Sequence, residues 1–170
     1  MTQTAAVIEI SLYVGTYGKY NSGSIAGQWV NLMDYPTLTE FLEHCAEIHS
    51  DETDPEFMFQ DAENVPDSMY SECSAEAIYK VIEFISENNI SDVDALFSYI
   101  GNVGVDYGLE SFDEAFCGAY DSELDYAYEI ADECMNIPEN IKPYFDYERF
   151  SNDLFIGDYS YIDGFVFRCI

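Results

Sequence analysis

From Val81 to Ile141 the chain carries fifteen acidic residues and not one basic residue. No ion pair within that span can neutralise a carboxylate, and a buried unpaired carboxylate is strongly unfavourable. Acid distributed in this way reads as a charged surface on folded structure, and Ser111 to Cys134 shows it most clearly. Its second half reads as an amphipathic helix with Leu124, Ala127, Tyr128, Ala131 and Met135 on one apolar stripe. The other face carries Glu123, Asp125, Glu129, Asp132 and Glu133. Asp125→Glu129 and Glu129→Glu133 are like-charge i,i+4 pairs, each unfavourable by roughly 0.2–0.5 kcal/mol. A solvated face tuned for stability alternates in sign; this one does not.

Those five carboxylates span ten helical steps, about 15 Å. That is one charge per roughly 3–4 Å, close to the ~3.4 Å per phosphate of a single DNA strand. One helix cannot match a duplex, but several acidic elements together can. Across the chain 34 acids face five bases, Lys19, Lys80, Lys142, Arg149 and Arg168, for a formal net charge of −29. Fifteen Tyr and twelve Phe supply a core, so the charge sits on folded structure rather than on a disordered tail. Such a surface repels nucleic acid and anionic membrane and favours a basic partner. No apolar run approaches the ~20 residues of a membrane span, and MTQTAAVIEISLYVG reads as no signal peptide. Five cysteines without a CxxC pair suit reduced thiols in a cytosol.

In chain order, Ala6 to Thr16 reads as a strand, YGKYNSGSIAG as a loop and Gln28 to Leu32 as a second strand. Thr37-x-x-Glu40 is a capping box opening a helix with Leu38, Phe41, Leu42, Cys45 and Ile48 inward. Phe57–Gln60 is the third strand, and this small α+β unit ends near Glu63. A helix capped by Ser74 presents Ile78, Val81, Ile82 and Ile85 and ends at Asn88-Asn89. A second helix opens at Ser91–Asp94, turns Ala95, Leu96, Tyr99 and Ile100 inward, and stops at Gly101 and Gly104. This helical segment is too small to hold a core alone, so it has to lean on its neighbours. Ser111-x-x-Glu114 reads as another capping box, before a short helix through Phe116 and then the acidic helix. Pro138 starts a short turn of helix, Tyr147–Leu154 a further helix, and Asp163-Gly164 turns a terminal hairpin. The expected fold class is α+β, an elongated chain of three small domains. These are 1–63 (α+β), 64–104 (helical) and 105–170 (α+β, with the acidic helix).

Signals for chemistry are weak. His44 and His49 sit five apart and project differently, and read as surface or half-buried histidines. There is no D-x-D-x-D-G calcium loop, G-x-S-x-G, P-loop or G-x-G-x-x-G. No catalytic residue, metal ligand or cofactor is assigned. Two readings from different classes stand beside each other. One is a charged surface that displaces DNA from a basic protein; the other is a generic acidic binding module or chaperone for such a protein. An undetected carboxylate hydrolase is a third.

The N-terminal pattern Tyr13-Val14…Tyr20-Asn21-x-Gly23-x-x-x-Gly27-x-Trp29-Val-x-Leu32 resembles the opening of the ArdA family of antirestriction proteins. The likeness continues in Phe112-Asp-Glu-Ala-Phe116…Ala119-Tyr120, in Tyr126-Ala127…Glu129-x-Ala131-Asp-Glu133, and in Tyr144-Phe-Asp146-Tyr147-Glu-x-Phe150. It closes with Gly164-Phe-Val-Phe167-Arg168. The resemblance implies a non-enzymatic DNA mimic carried by mobile elements. It would occupy the DNA-binding groove of type I restriction–modification enzymes, chiefly the methyltransferase core, in the bacterial cytoplasm. It also implies three small domains and a homodimer joined through the C-terminal domains. The segment Asp121–Glu133 looks like the family's antirestriction motif, near the dimer contact. The expected partner-facing acids are Asp106, Glu110, Asp113, Glu114, Asp121, Glu123, Asp125, Glu129, Asp132 and Glu133. Tyr120, Tyr126 and Tyr128 are the expected dimer contacts, because like-charged protomers need a neutral seam. Two chains would carry about −58 charges, the phosphates of roughly 29 base pairs.

Overall fold

The structure, a computed structural model, describes residues 9–170. It is mixed α+β, with seven helices and two three-stranded antiparallel sheets among the described residues. It falls into two compact units, one reaching to Ser91 and one from Asp92 to Ile170. That boundary lies inside 64–104, the segment set apart above as a helical middle domain.

In the first unit the order is β1 (Ser11–Thr16), α1 (Tyr17–Asn21), β2 (Gln28–Asn31), α2 (Leu38–Ile48), β3 (Phe57–Glu63) and α3 (Glu76–Asn88). The sheet runs β2-β1-β3, with Leu12 opposite Val30 and Ala62. The part of the first expected strand at Ala6–Ile8 lies outside the described residues. The capping box at α2 is present in both directions, Thr37 accepting from the Glu40 amide and Glu40 from the Thr37 amide. A Cβ on Gly27 would stand 2.4 Å from the Val14 carbonyl oxygen, so only glycine lets the chain enter β2 this close to β1. Trp29 meets Tyr13 edge-on at 5.5 Å, and Tyr13 donates to the Ile25 carbonyl at 3.0 Å. The N-terminal motif is thus one packed corner.

Helix α3 packs against α2 and the turn that follows β2. Tyr79 is buried against Phe41, and its hydroxyl lies 3.3 Å from the carbonyls of both Leu32 and Tyr35. His49 is fully buried rather than half-exposed. Its Nε2 donates to the Val14 carbonyl at 3.1 Å, and Lys19 Nζ donates to its Nδ1 at 2.9 Å and to Asp51 at 2.8 Å. Two local expectations change here. The stretch after β1 begins with helix α1 because Thr16 caps it, accepting from the Lys19 amide. Helix α3 begins after Ala75, with Ser74 accepting from the Glu76 amide outside the helix.

The second unit contains α4 (Val93–Val103), α5 (Val105–Ala115), β4 (Phe116–Ala119), α6 (Glu123–Cys134), α7 (Tyr147–Gly157), β5 (Tyr159–Ile162) and β6 (Phe165–Arg168). Its sheet runs β4-β6-β5. Tyr99 of α4 stacks on Phe167 at 4.8 Å, and Phe112 of α5 stacks on Phe116 at 5.2 Å. The terminal hairpin forms as expected: Asp163 (φ 52°) and Gly164 (φ 90°) are both left-handed, the requirement of a type I′ turn.

Several expectations fail in this unit. Gly101 lies within α4, which Gly104 ends. Ser111 does not cap a helix; it sits inside α5, donating to the Tyr107 carbonyl at 2.6 Å. Its hydroxyl hydrogen being engaged there, Tyr99 donates to its oxygen at 3.0 Å. Phe116 opens strand β4 instead of closing a helix, because β6 supplies a backbone partner. After Pro138 the chain makes turns and only a 3₁₀ turn at Lys142–Tyr144. Among the described residues no helix is long and apolar enough to cross a membrane.

Candidate functional site

Helix α6 begins where Ser122 accepts from the Asp125 amide at 3.1 Å, and Glu123 and Asp125 in its first turn complement the positive helix end. Tyr126, Ala127 and Ala131 form its buried arc. The expected stripe is therefore rotated: Ala127 and Ala131 lie inward, whereas Tyr128 and Met135 are exposed and Tyr126 takes the interior place. The cause is an aromatic nest in which Tyr126 meets Tyr120 and Tyr159 at 5.0 Å and Phe155 at 6.0 Å. Burial, and then hydrogen bonding to Tyr159 and Cys117, push the Tyr126 phenol far above its ordinary value.

All ten expected partner-facing acids are exposed: Asp106, Glu110, Asp113 and Glu114 on α5, Asp121 before α6, and Glu123, Asp125, Glu129, Asp132 and Glu133 on α6. The property extends to the whole chain. All 34 acids fall among the described residues, none is buried, and only Glu52 and Asp92 are even half-buried. Sixteen stand on the first unit with Lys19 and Lys80, and eighteen on the second with Lys142, Arg149 and Arg168, so both units are strongly negative.

Some of this charge is locally tied. Glu129 accepts from the Tyr120 hydroxyl at 2.7 Å, and Lys142 bridges Asp132 (3.4 Å) and Glu139 (3.0 Å). Those two carboxylates hold the Lys142 ammonium above its ordinary range. The Lys19 ammonium, donating to Asp51, draws that carboxyl below its usual value.

The three tyrosines expected at a dimer seam sit in three environments. Tyr120 is half-buried, Tyr126 is 4% exposed, and Tyr128 is 44% exposed with its ring 4.4 Å from Tyr147. Tyr144 and Met135, the latter expected on the apolar stripe, are exposed as well, as is Ile141, which sequence reasoning passed over. All five cysteines are free. Among the described residues no three His, Cys, Asp or Glu side chains come together in a way that could hold a metal ion.

A family model described as "Antirestriction protein (ArdA)" matches residues 12–167. No curated protein matches the chain.

Proposed function

The chain belongs to the ArdA family of antirestriction proteins, and from that premise we propose that it works by imitating the charge of B-form DNA. Its target is a type I restriction–modification enzyme, whose DNA-binding groove it fills at the methyltransferase core. Incoming DNA then escapes cleavage, and modification is blocked with it. The observation that supports this reading is that 32 of the 34 acidic residues are exposed, against five bases. A basic groove gains from such an array the counterion release it gains from phosphates, and the array contains no base to methylate and no phosphodiester to cut.

The proposed inhibitor is a homodimer. Tyr128, exposed beside the Tyr147 ring, provides the neutral exposed surface that two like-charged protomers need. Tyr126 supports that surface from within, and Tyr120 orients one acid beside it.

The test is direct competition. A fluorescent duplex bound to a purified type I enzyme is titrated with the protein, and cleavage and methylation are followed in parallel. Displacement of the duplex together with loss of both activities is expected. Inhibition without displacement would refute mimicry and favour an acidic module acting elsewhere on the enzyme.

A further inference from the structure

Helices α6 and α7 leave an open, shallow cleft of about 530 Å³ between their N-terminal halves. Asp121, Glu123 and Glu148 line it, with Ser151, Asn152 and Tyr161. Ser151 is 5% exposed, and among the described residues its hydroxyl meets no hydrogen-bond partner. A serine inside a helix can satisfy its hydroxyl by back-bonding to the carbonyl four residues earlier. Ser111 does this in α5, but Ser151 in α7 does not, and Ser151 is among the residues that line the cleft.

We infer that this cleft seats an arginine side chain of the inhibited protein. The inference rests on the reading of the chain as an occupant of a basic groove. Three unit negative charges outweigh the two helix N-termini beside them, each equivalent to about half a positive charge, so an anion is excluded. A compact metal ion is mismatched as well, because the carboxylates do not converge on one point. A guanidinium is a planar, delocalised cation with five N–H donors and no acceptor. Spread carboxylate acceptors and the open Ser151 oxygen suit that fork better than they suit the point charge of lysine. Tyr161, its hydroxyl donating to the Tyr120 carbonyl at 2.8 Å, has a fixed ring that can flank the arginine stem or plane.

The test uses the full ¹⁵N-labelled chain titrated with N-acetyl-arginine amide, and with N-acetyl-lysine amide at equal ionic strength. Saturable shifts concentrated at the amides of Ser122, Ser151 and Asn152 are expected, with the lysine probe binding at least about fivefold more weakly. Glu148→Gln and Ser151→Ala are expected to raise the Kd for the arginine probe about five- to tenfold. Alanine is the better helix former, so the second variant keeps the fold. Equal responses to both probes, or shifts scattered over the acidic faces, would overturn the inference. DNA displacement by the wild-type chain is measured alongside. Displacement without a localised probe site removes the arginine seat and leaves mimicry standing. A localised site without displacement keeps the seat and removes the proposed target.

Discussion

Tyr120 donates its phenolic hydrogen to Glu129 at 2.7 Å, so one carboxylate of the α6 face is held by a neutral donor instead of a cation. Burial and then this bond push the Tyr120 phenol up to about 12 from its ordinary 10.0. The folded chain therefore keeps a proton that the unfolded chain releases first. Between pH 10 and about 12 the unfolded state binds fewer protons, and stability falls as pH rises. Tyr126 acts in the same direction. Urea unfolding midpoints are expected to hold level up to about pH 9 and then decline. Tyr120→Phe is expected to lessen the alkaline decline. A wild-type midpoint that stays level to pH 12 would contradict this account.

Tyr126 and Tyr128 are two residues apart yet differ in burial, and their variants separate folding from association. Tyr126→Ala removes a ring from a packed nest and is expected to cost about 3–5 kcal/mol. Tyr128→Glu leaves that nest intact. It is expected to keep the fold, read by circular dichroism, while sedimentation shifts from dimer to monomer. An unchanged dimer would remove Tyr128 from the proposed seam.

Salt distinguishes a charge mimic from a partner held by shape. Affinity for the restriction enzyme is expected to fall with salt, less steeply than the enzyme's affinity for DNA, where each phosphate contact contributes about −0.9 on the logarithmic plot. The protein's charges are sparser than those of a duplex and condense fewer cations. Asp132→Asn, on the outward face, is expected to weaken binding less than about threefold, since attraction is shared among many acids. A salt-independent Kd would return the α6 face to a merely solvated role. Abolition of binding by that one substitution would reveal a local anchor instead.

What the sequence disclosed follows the range of the forces involved. The Thr37–Glu40 capping box and the Asp163-Gly164 turn are decided within four residues, and both are present. Exposure of nearly all the acids was legible because burying an unpaired carboxylate is costly; Glu52, whose Oε2 is buried with no hydrogen-bond partner among the described residues, and the half-buried Asp92 depart from it. Strand β4 was missed because its four residues carry no alternation, and Gly118, at φ 140°, is held in place by β6. Ser111 has the spacing of a cap, but Gly104 starts the helix earlier and leaves the serine inside it. The rotation of the α6 stripe depends on Phe155 and Tyr159, which arrive from elsewhere in the chain. The α6–α7 cleft was invisible for the same reason, with Glu148, Ser151 and Asn152 distant in sequence from Asp121.

The clasp around His49 has its own consequence. A lysine ammonium can only donate, so the Nδ1 it meets must offer a lone pair, and the ring proton must sit on Nε2 opposite the Val14 carbonyl. The imidazole is thereby locked in a single tautomer. One proton position joins the first helix, the end of α2 and the central strand. Lys19, one of just five cations on the chain, is turned inward by it and withdrawn from the outer field that a partner meets.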